Sequence, residues 1–291
     1  MASIKELRTR IRSVGNIKQI TRAMEMVATT KLRRFQDRAT ASRPYAEEVA
    51  GMVGRLAQVL GDKLQDRPLF RDGEGERTLA LLVTSDRGLC GAYNTNLLRS
   101  MEAWLEEQDG PVTWYVYGRK GQQYLSKRGF DVERFLVDPP LESTDYRSAS
   151  VTARMLTQEF TSGQYKDVYL FYTAFESMVK YVPTINKVLP IDGSALAGDD
   201  AEEAAQADII LEPDADAIFD TLVPRYLETR FYNALLEALT SEYASRRFAM
   251  KNATDAATDM QKALKGIYNK KRQEGITKDL LDIVGGAEAV K

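Results

Sequence analysis

The sequence contains no histidine and a single cysteine, Cys90. The first absence removes the commonest general base and the commonest metal ligand. The second excludes an internal disulfide and a cysteine metal cluster, and fits a reducing compartment. No apolar run approaches the roughly 20 residues that a helix needs to span a bilayer. The N-terminus lacks the short apolar core of a secretory signal; its arginines suit a transit peptide, but the segment reads as a structural helix. A surplus of one charge sign is missing too. The net charge is −2, which argues against bulk affinity for nucleic acid.

That near-neutral mean hides an asymmetry. Residues 1–43 carry eleven Lys and Arg against three acids, a balance of +8. Acids gather elsewhere, notably at Asp199, Asp200, Glu202, Glu203 and Asp208. Three readings of the basic stretch stand: a solvated face, a phosphate-backbone contact, or complementarity to an acidic protein surface.

Periodicity organises the chain. Ser3 and Glu6 form a capping-box pattern ahead of Ile4, Leu7, Ile11 and Val14. That spacing is a coiled-coil seam. It predicts one helix, or two, over residues 3–57, with the stripe slipping to Ile17, Ile20, Met24 and Val27 and resuming at Leu32 and Phe35. Pro44 is expected to kink or interrupt it. From Asp214 a second helical pattern runs to Gly285-Gly286, capped by Asp214 or Asp216, with Pro224 a kink or a first helical residue. Its expected seam is Leu235, Leu239, Ala249, Ala253, Ala256, Met260, Ala263 and Ile267, then Ile276, Leu280 and Ile283. About 60 residues give a rod of roughly 90 Å, longer than a compact domain is wide, so it needs a partner helix. The N-terminal helix has the length and pattern to pair with it antiparallel.

Between them the pattern changes. TLALLVT at Thr78–Thr84 is continuous and apolar, as in a strand buried on both faces. VTWYVY, VERFLV and VYLFY, starting at Val112, Val132 and Val168, are further strands, with helices near 94–107, 119–128 and 147–162. Residues 182–191 suit an edge strand because of Pro183 and Pro190. The alternation predicts a largely parallel sheet. The expected organisation is an N-terminal coiled-coil helix at 1–60, an α/β domain at 76–192, an acidic connector at 193–213 and a C-terminal coiled-coil helix at 214–286. The fold class is α/β: a long antiparallel two-helix coiled coil with an inserted Rossmann-like domain.

The segment TSDRGLCGAYNTN, Thr84–Asn96, follows a buried strand and precedes a helix. A helix N-terminus favours anions, but neither G-x-G-x-x-G nor G-K-[ST] is present. A turn that exposes Arg87 is the stronger reading, with Cys90 a small buried hydrophobe. Arg246, at a seam position, either snorkels to water or presents its charge to a partner. Arg272, Gln273 and Thr277 lie on neighbouring helical faces and read as a partner contact or as ordinary surface.

Three blocks, IKQITRAMEMVATTKL, VTSDRGLCGAYNTN and YNKKRQEGITKDLLDIVGGAEAV, stand at both ends and the centre of the chain. They resemble the gamma chains of F-type ATP synthases, and SEYASRRFAMKNATDAATDM is similar to that family's approach to its last helix. The resemblance covers essentially the whole chain. It implies a non-catalytic rotor subunit without a cofactor or metal. The implied partners are the alpha and beta subunits of the catalytic hexamer, a small epsilon subunit and the c-ring of the membrane sector. It implies proton-driven rotation that forces each beta subunit through different nucleotide states. The implied contacts are Met24 and Arg246 facing acidic levers, Arg87 and Cys90 in the central loop, and Arg272, Gln273, Thr277 and Asp279 on the upper shaft. Relatives often have glutamate where Asp279 stands. One cysteine leaves no plant-type thiol switch. The expected location is the cytoplasmic face of a bacterial plasma membrane. An enzyme with a nucleotide in the α/β domain, and a coiled-coil scaffold that never rotates, are the alternatives.

Overall fold

The computed structural model describes residues 3–196 and 214–289. Most of the expected acidic connector lies outside the described residues. Chain contacts divide the molecule into two compact units, one of residues 1–29 with 246–291 and one of residues 30–245.

Helix α1 (Ile4–Leu60) is one uninterrupted element. The capping box forms: the Ser3 backbone N–H donates to Glu6 Oε2 at 2.9 Å, and the Glu6 N–H donates to Ser3 Oγ at 3.2 Å. Pro44 lies inside the helix and does not interrupt it. It is exposed, as is Thr40 one turn earlier, so water can satisfy the carbonyl that a proline cannot bond. The last helix, α6 (Ala215–Ala289), starts where the Asp214 carboxylate accepts from the Ala217 N–H at 2.8 Å. It contains Pro224 as an interior residue and continues past Gly285-Gly286 to Ala289.

In the larger unit, α1 and α6 run antiparallel. Phe35 stacks on Tyr243 at 5.5 Å, Arg38 donates to Tyr232 Oη at 3.0 Å, and Ser42 donates to Asn233 at 2.7 Å. Between them in sequence come β1 (Arg77–Val83), α2 (Tyr93–Glu106), β2 (Val112–Tyr117), α3 (Arg119–Lys127), β3 (Val132–Leu136), α4 (Tyr146–Thr161), β4 (Tyr165–Phe175), β5 (Tyr181–Leu189) and a short helical turn, α5 (Gly193–Leu196). The sheet order is β3-β2-β1-β4-β5. The first three neighbour pairs are parallel, and β5 is an antiparallel edge in which Pro183 faces Thr173. Strand β1 sits centrally, and Leu79 through Val83 are fully buried, as the unbroken apolar run requires. Around it close Leu97, Met101, Trp114, Leu125 and Phe171, with Trp104 edge-on to Phe171 at 5.0 Å.

The smaller unit is the second antiparallel stretch of the same two helices. Arg8 donates to Tyr268 Oη at 3.2 Å, and Thr254 Oγ1 lies 2.8 Å from Thr21 Oγ1. Here the seam differs from its expected register. On α1 the least exposed side are Leu7, Ile11, Val14, Lys18, Thr21 and Ala28, a 4-3 repeat with no slip. Ile17, Ile20 and Val27 face outward at 52%, 59% and 56% exposure. On α6 the seam runs through Met250, Thr254, Ala257, Gln261, Leu264, Tyr268, Lys271 and Gly275. That is one residue later than hydrophobicity placed it, and Met260 and Ile267 lie outside. The physical reason is that polar residues such as Thr21 and Thr254 take seam positions that periodicity reserves for apolar ones. The Thr21 and Thr254 hydroxyls meet across the seam and also reach backbone carbonyls of Lys18 and Met250. The register also explains the far end. With Arg8 at Tyr268, Ile4 stands level with Arg272, so Ile276, Leu280 and Ile283 have no facing turn of α1 and are exposed.

Candidate partner-contact surfaces

The loop after β1 is built as a rigid platform. Thr84 Oγ1 accepts from the Gly121 N–H at 2.8 Å. The Asn94 side chain accepts from the Ser85 N–H at 3.0 Å and donates to Ser85 Oγ at 2.7 Å. Ser85 Oγ lies 2.8 Å from the Arg87 carbonyl, and the Arg119 N–H donates to Asp86 at 3.1 Å. These bonds hold up a tip where Arg87 is exposed. Beside it Leu89 takes a left-handed backbone, φ 64°, and is 61% exposed. A non-glycine residue in that region costs roughly 1–3 kcal/mol, and such strain gathers at functional sites. Sequence reasoning missed Leu89; the neighbouring Gly88 and Gly91 signal a turn but not which side chain it displays.

Cys90 does not share that display. It is 2% exposed, with Asn94 Nδ2 donating to its sulfur at 3.3 Å. That is the small buried hydrophobe expected of it, bracing from within the loop that carries Arg87. Arg246, expected either to reach water or to present its charge to a partner, is 7% exposed. The remaining positions are where a partner can reach them. Met24 is half-buried at the edge of the α1 seam, and Arg272, Gln273, Thr277 and Asp279 are exposed on α6. Arg87 and Cys90 belong to the loop of the larger unit, and the other six of the eight residues to the helices of the smaller one.

In doubly wound sheets a ligand crevice opens at the carboxyl ends of the strands where the strand order reverses, here between β1 and β4. Helix α6 fills it. Ser245 Oγ donates to the Cys90 carbonyl at 2.6 Å, and Tyr93 Oη donates to the Ala238 carbonyl at 3.1 Å. At the β4 side Glu237 of α6 stands close to Tyr172. Burial, followed by the charge of Glu237, pushes the Tyr172 phenol up to about 12, and burial raises the Glu237 carboxyl. The ground on which a nucleotide would sit is taken by the chain's own helix.

A second joint ties both long helices to this domain. Glu142, just before α4, accepts from Lys31 of α1 and from Tyr243 of α6. Burial works to raise its carboxyl, but the Lys31 and Tyr243 hydrogen bonds and the nearby charges of Lys31 and Arg87 outweigh it, so its pKa is lowered. The sign follows. The stability it adds is full above the ordinary carboxylate pKa and is lost as pH falls through the lowered folded value. Glu142→Gln should therefore shrink the fall in melting temperature between about pH 5 and pH 3. Melting curves across that range check it; an unchanged acid-side slope would show that the carboxylate is not the link.

The family profile for ATP synthase matches residues 3–290. The ATP synthase gamma chain of Desulfosudis oleivorans is 41% identical over 300 residues, covering 100% of both chains. That of Gemmatimonas aurantiaca is 42% identical over 299 residues, again covering 100% of both. This chain belongs to the ATP synthase gamma chain family. A gamma chain is the rotor subunit of the central stalk of an F-type ATP synthase. The fold agrees. A chain from the Euglena gracilis mitochondrial ATP synthase, in a structure of OSCP, F1 and c-ring, superposes with a TM-score of 0.66 at 21% identity, covering 99% of this chain and 94% of that one. One from the Tetrahymena thermophila mitochondrial central stalk and c-ring gives 0.60 at 25% identity, covering 80% and 99%. Among the described residues of this gamma chain, no helix is long and apolar enough to cross a membrane.

Proposed function

We propose that this gamma chain transmits rotation through the outer face of its helix pair, and that it performs no bond chemistry of its own. One observation carries the reading. In the smaller unit Lys18, Thr21, Thr254 and Gln261 share the seam with apolar side chains, while Ile17, Ile20, Val27, Met260 and Ile267 face outward. Outward apolar side chains in such number mark a surface that other proteins cover.

The partners follow from the relatives. The alpha and beta subunits of the hexamer surround the helices, and the c-ring with epsilon carries the α/β domain. Proton flow turns the ring. Met24, Arg87, Arg272, Gln273, Thr277 and Asp279, joined by Leu89, meet successive subunits, while Cys90 and Arg246 support those contacts from inside. Each beta subunit then sees a different face of the rotor and shifts among its nucleotide states by the difference in contact energy. The basic N-terminal helix adds an attraction toward acidic levers. Exposed pairs are worth at most about 1 kcal/mol each and are screened by salt, so they guide without locking. The setting is the cytoplasmic face of a bacterial plasma membrane.

Replacing Met24 with Lys tests this in inverted membrane vesicles. The expected result is ATP hydrolysis that continues while proton pumping per ATP falls at least twofold. Pumping per ATP equal to wild type would remove Met24 from the contact. Purification of the chain without alpha, beta and epsilon from detergent extracts would reject the assembly itself.

A further inference from the structure

Within the larger unit, between the helix pair and the sheet, lies a cavity of about 450 Å³. Small-molecule sites occupy roughly 300–1,000 Å³. Its apolar walls come from α1 at Ala50, from β4 at Leu170, from β5 at Val188 and from α6 at Phe231 and Ala234. None of the partner contacts assigned above lines it.

One wall residue does not belong in such a lining. Glu237 is half-buried, and among the described residues it forms no ion pair. Burial raises its carboxyl against the opposing charge of Arg43, which lies on a second cavity that Glu237 also lines. A carboxylate drawn out of water without a cation is costly, and a bound cation relieves it. Next to it, the Asn186 side chain donates to Tyr172 Oη at 3.4 Å, which leaves the Asn186 amide oxygen as a second acceptor on the same wall. An ammonium group has three protons to donate.

The other charges limit the ligand. Arg230 and Glu47 line the cavity and are exposed, so they mark its mouth and offset each other. Arg230 donates to Tyr226 Oη at 3.2 Å. A second ammonium at that end would meet the guanidinium, so the ligand carries one positive charge.

We propose that this cavity binds a small amphipathic monoamine, its ammonium at Glu237 and a flat apolar body against Leu170, Val188 and Phe231. The rings of Tyr172 and Phe231 suit such a body and attract a cation. Because α1, α6 and the sheet all supply walls, the bound amine also ties the helix pair to the α/β domain. Binding requires no partner subunit.

Calorimetric titration of the full-length protein with tryptamine tests it, at neutral pH and about 50 mM salt. Saturable binding near one per chain is expected. 3-Methylindole has the same ring without a charge, and indole-3-propionate carries an anion instead. Each should bind about tenfold more weakly or worse, the worth of one charge-assisted hydrogen bond. Glu237→Gln keeps the shape and removes the charge. It should weaken tryptamine by about tenfold or more without lowering the melting temperature, since the carboxylate has no cation to lose. Ala50→Leu keeps every charge but fills the cavity, and should weaken binding several-fold. Glu47→Gln, at the exposed mouth, should leave it within about twofold, as a solvated charge contributes little. No saturable binding, equal binding of either indole control, full binding by Glu237→Gln or Ala50→Leu, or a loss in Glu47→Gln as large as in Glu237→Gln would each overturn the proposal.

Discussion

Replacing Gly118 with alanine is expected to destabilise the α/β domain by about 3 kcal/mol or more. Gly118 follows β2 with φ 92°, a backbone that L side chains rarely adopt. A Cβ there would stand 2.1 Å from the Thr84 carbonyl oxygen and 2.6 Å from Thr84 Oγ1. The obstacle is backbone of the central strand's own continuation, so no rotamer change relieves it. Either β2 or the start of the β1 loop must move, and the loop carries Arg87 and Leu89. For a chain of this size the expected fall in melting temperature is about 6–12 °C. Gly129→Ala is the control: φ is 76°, but nothing lies within 4 Å of the new Cβ. Its cost should be only the roughly 1–2 kcal/mol of the left-handed backbone. Urea unfolding of both variants measures the difference, and equal losses would mean that the close approach to Thr84 is not what demands glycine.

Ending the chain after Gly275 should have the opposite profile: little effect on the isolated protein and a large one on the machine. Ile276, Leu280 and Ile283 are 58%, 58% and 72% exposed, beyond the last residue that α1 can face. Removing them exposes no core, so the melting temperature should move by less than about 2 °C, the scale of a surface change. If these side chains meet the surrounding subunits, proton-driven ATP synthesis by the assembled enzyme should fall several-fold. Full synthesis by the truncated enzyme would leave this apolar end without a role. A large drop in melting temperature would mean that the end packs on its own chain.

How much of this was readable in advance depended on the kind of side chain. The run Leu79–Val83 announced a central strand because burial on both faces leaves no room for polar residues. Ser3, Glu6 and Asp214 announced helix starts because caps are chemistry at fixed spacing. The seam misled because hydrophobicity was used to locate it. Between residues 14 and 28 of α1 the apolar side chains point away from the partner helix, and Thr21 with Thr254 replaces them. A periodicity argument assumes that apolar means inside; a subunit that is itself the core of a larger assembly breaks that assumption.

The sequence alone determined the elements, their order, their caps, the central strand and the family. Those depend on local backbone preference, on period and on long matching blocks, all of which are properties of neighbours along the chain. Only the tertiary structure decided which face of each helix is inside, that Arg246 is enclosed while Leu89 is displayed, and that α6 fills the crevice between β1 and β4. Those depend on which residues distant in sequence meet, and a pattern along one strand of polypeptide cannot specify what lies opposite it.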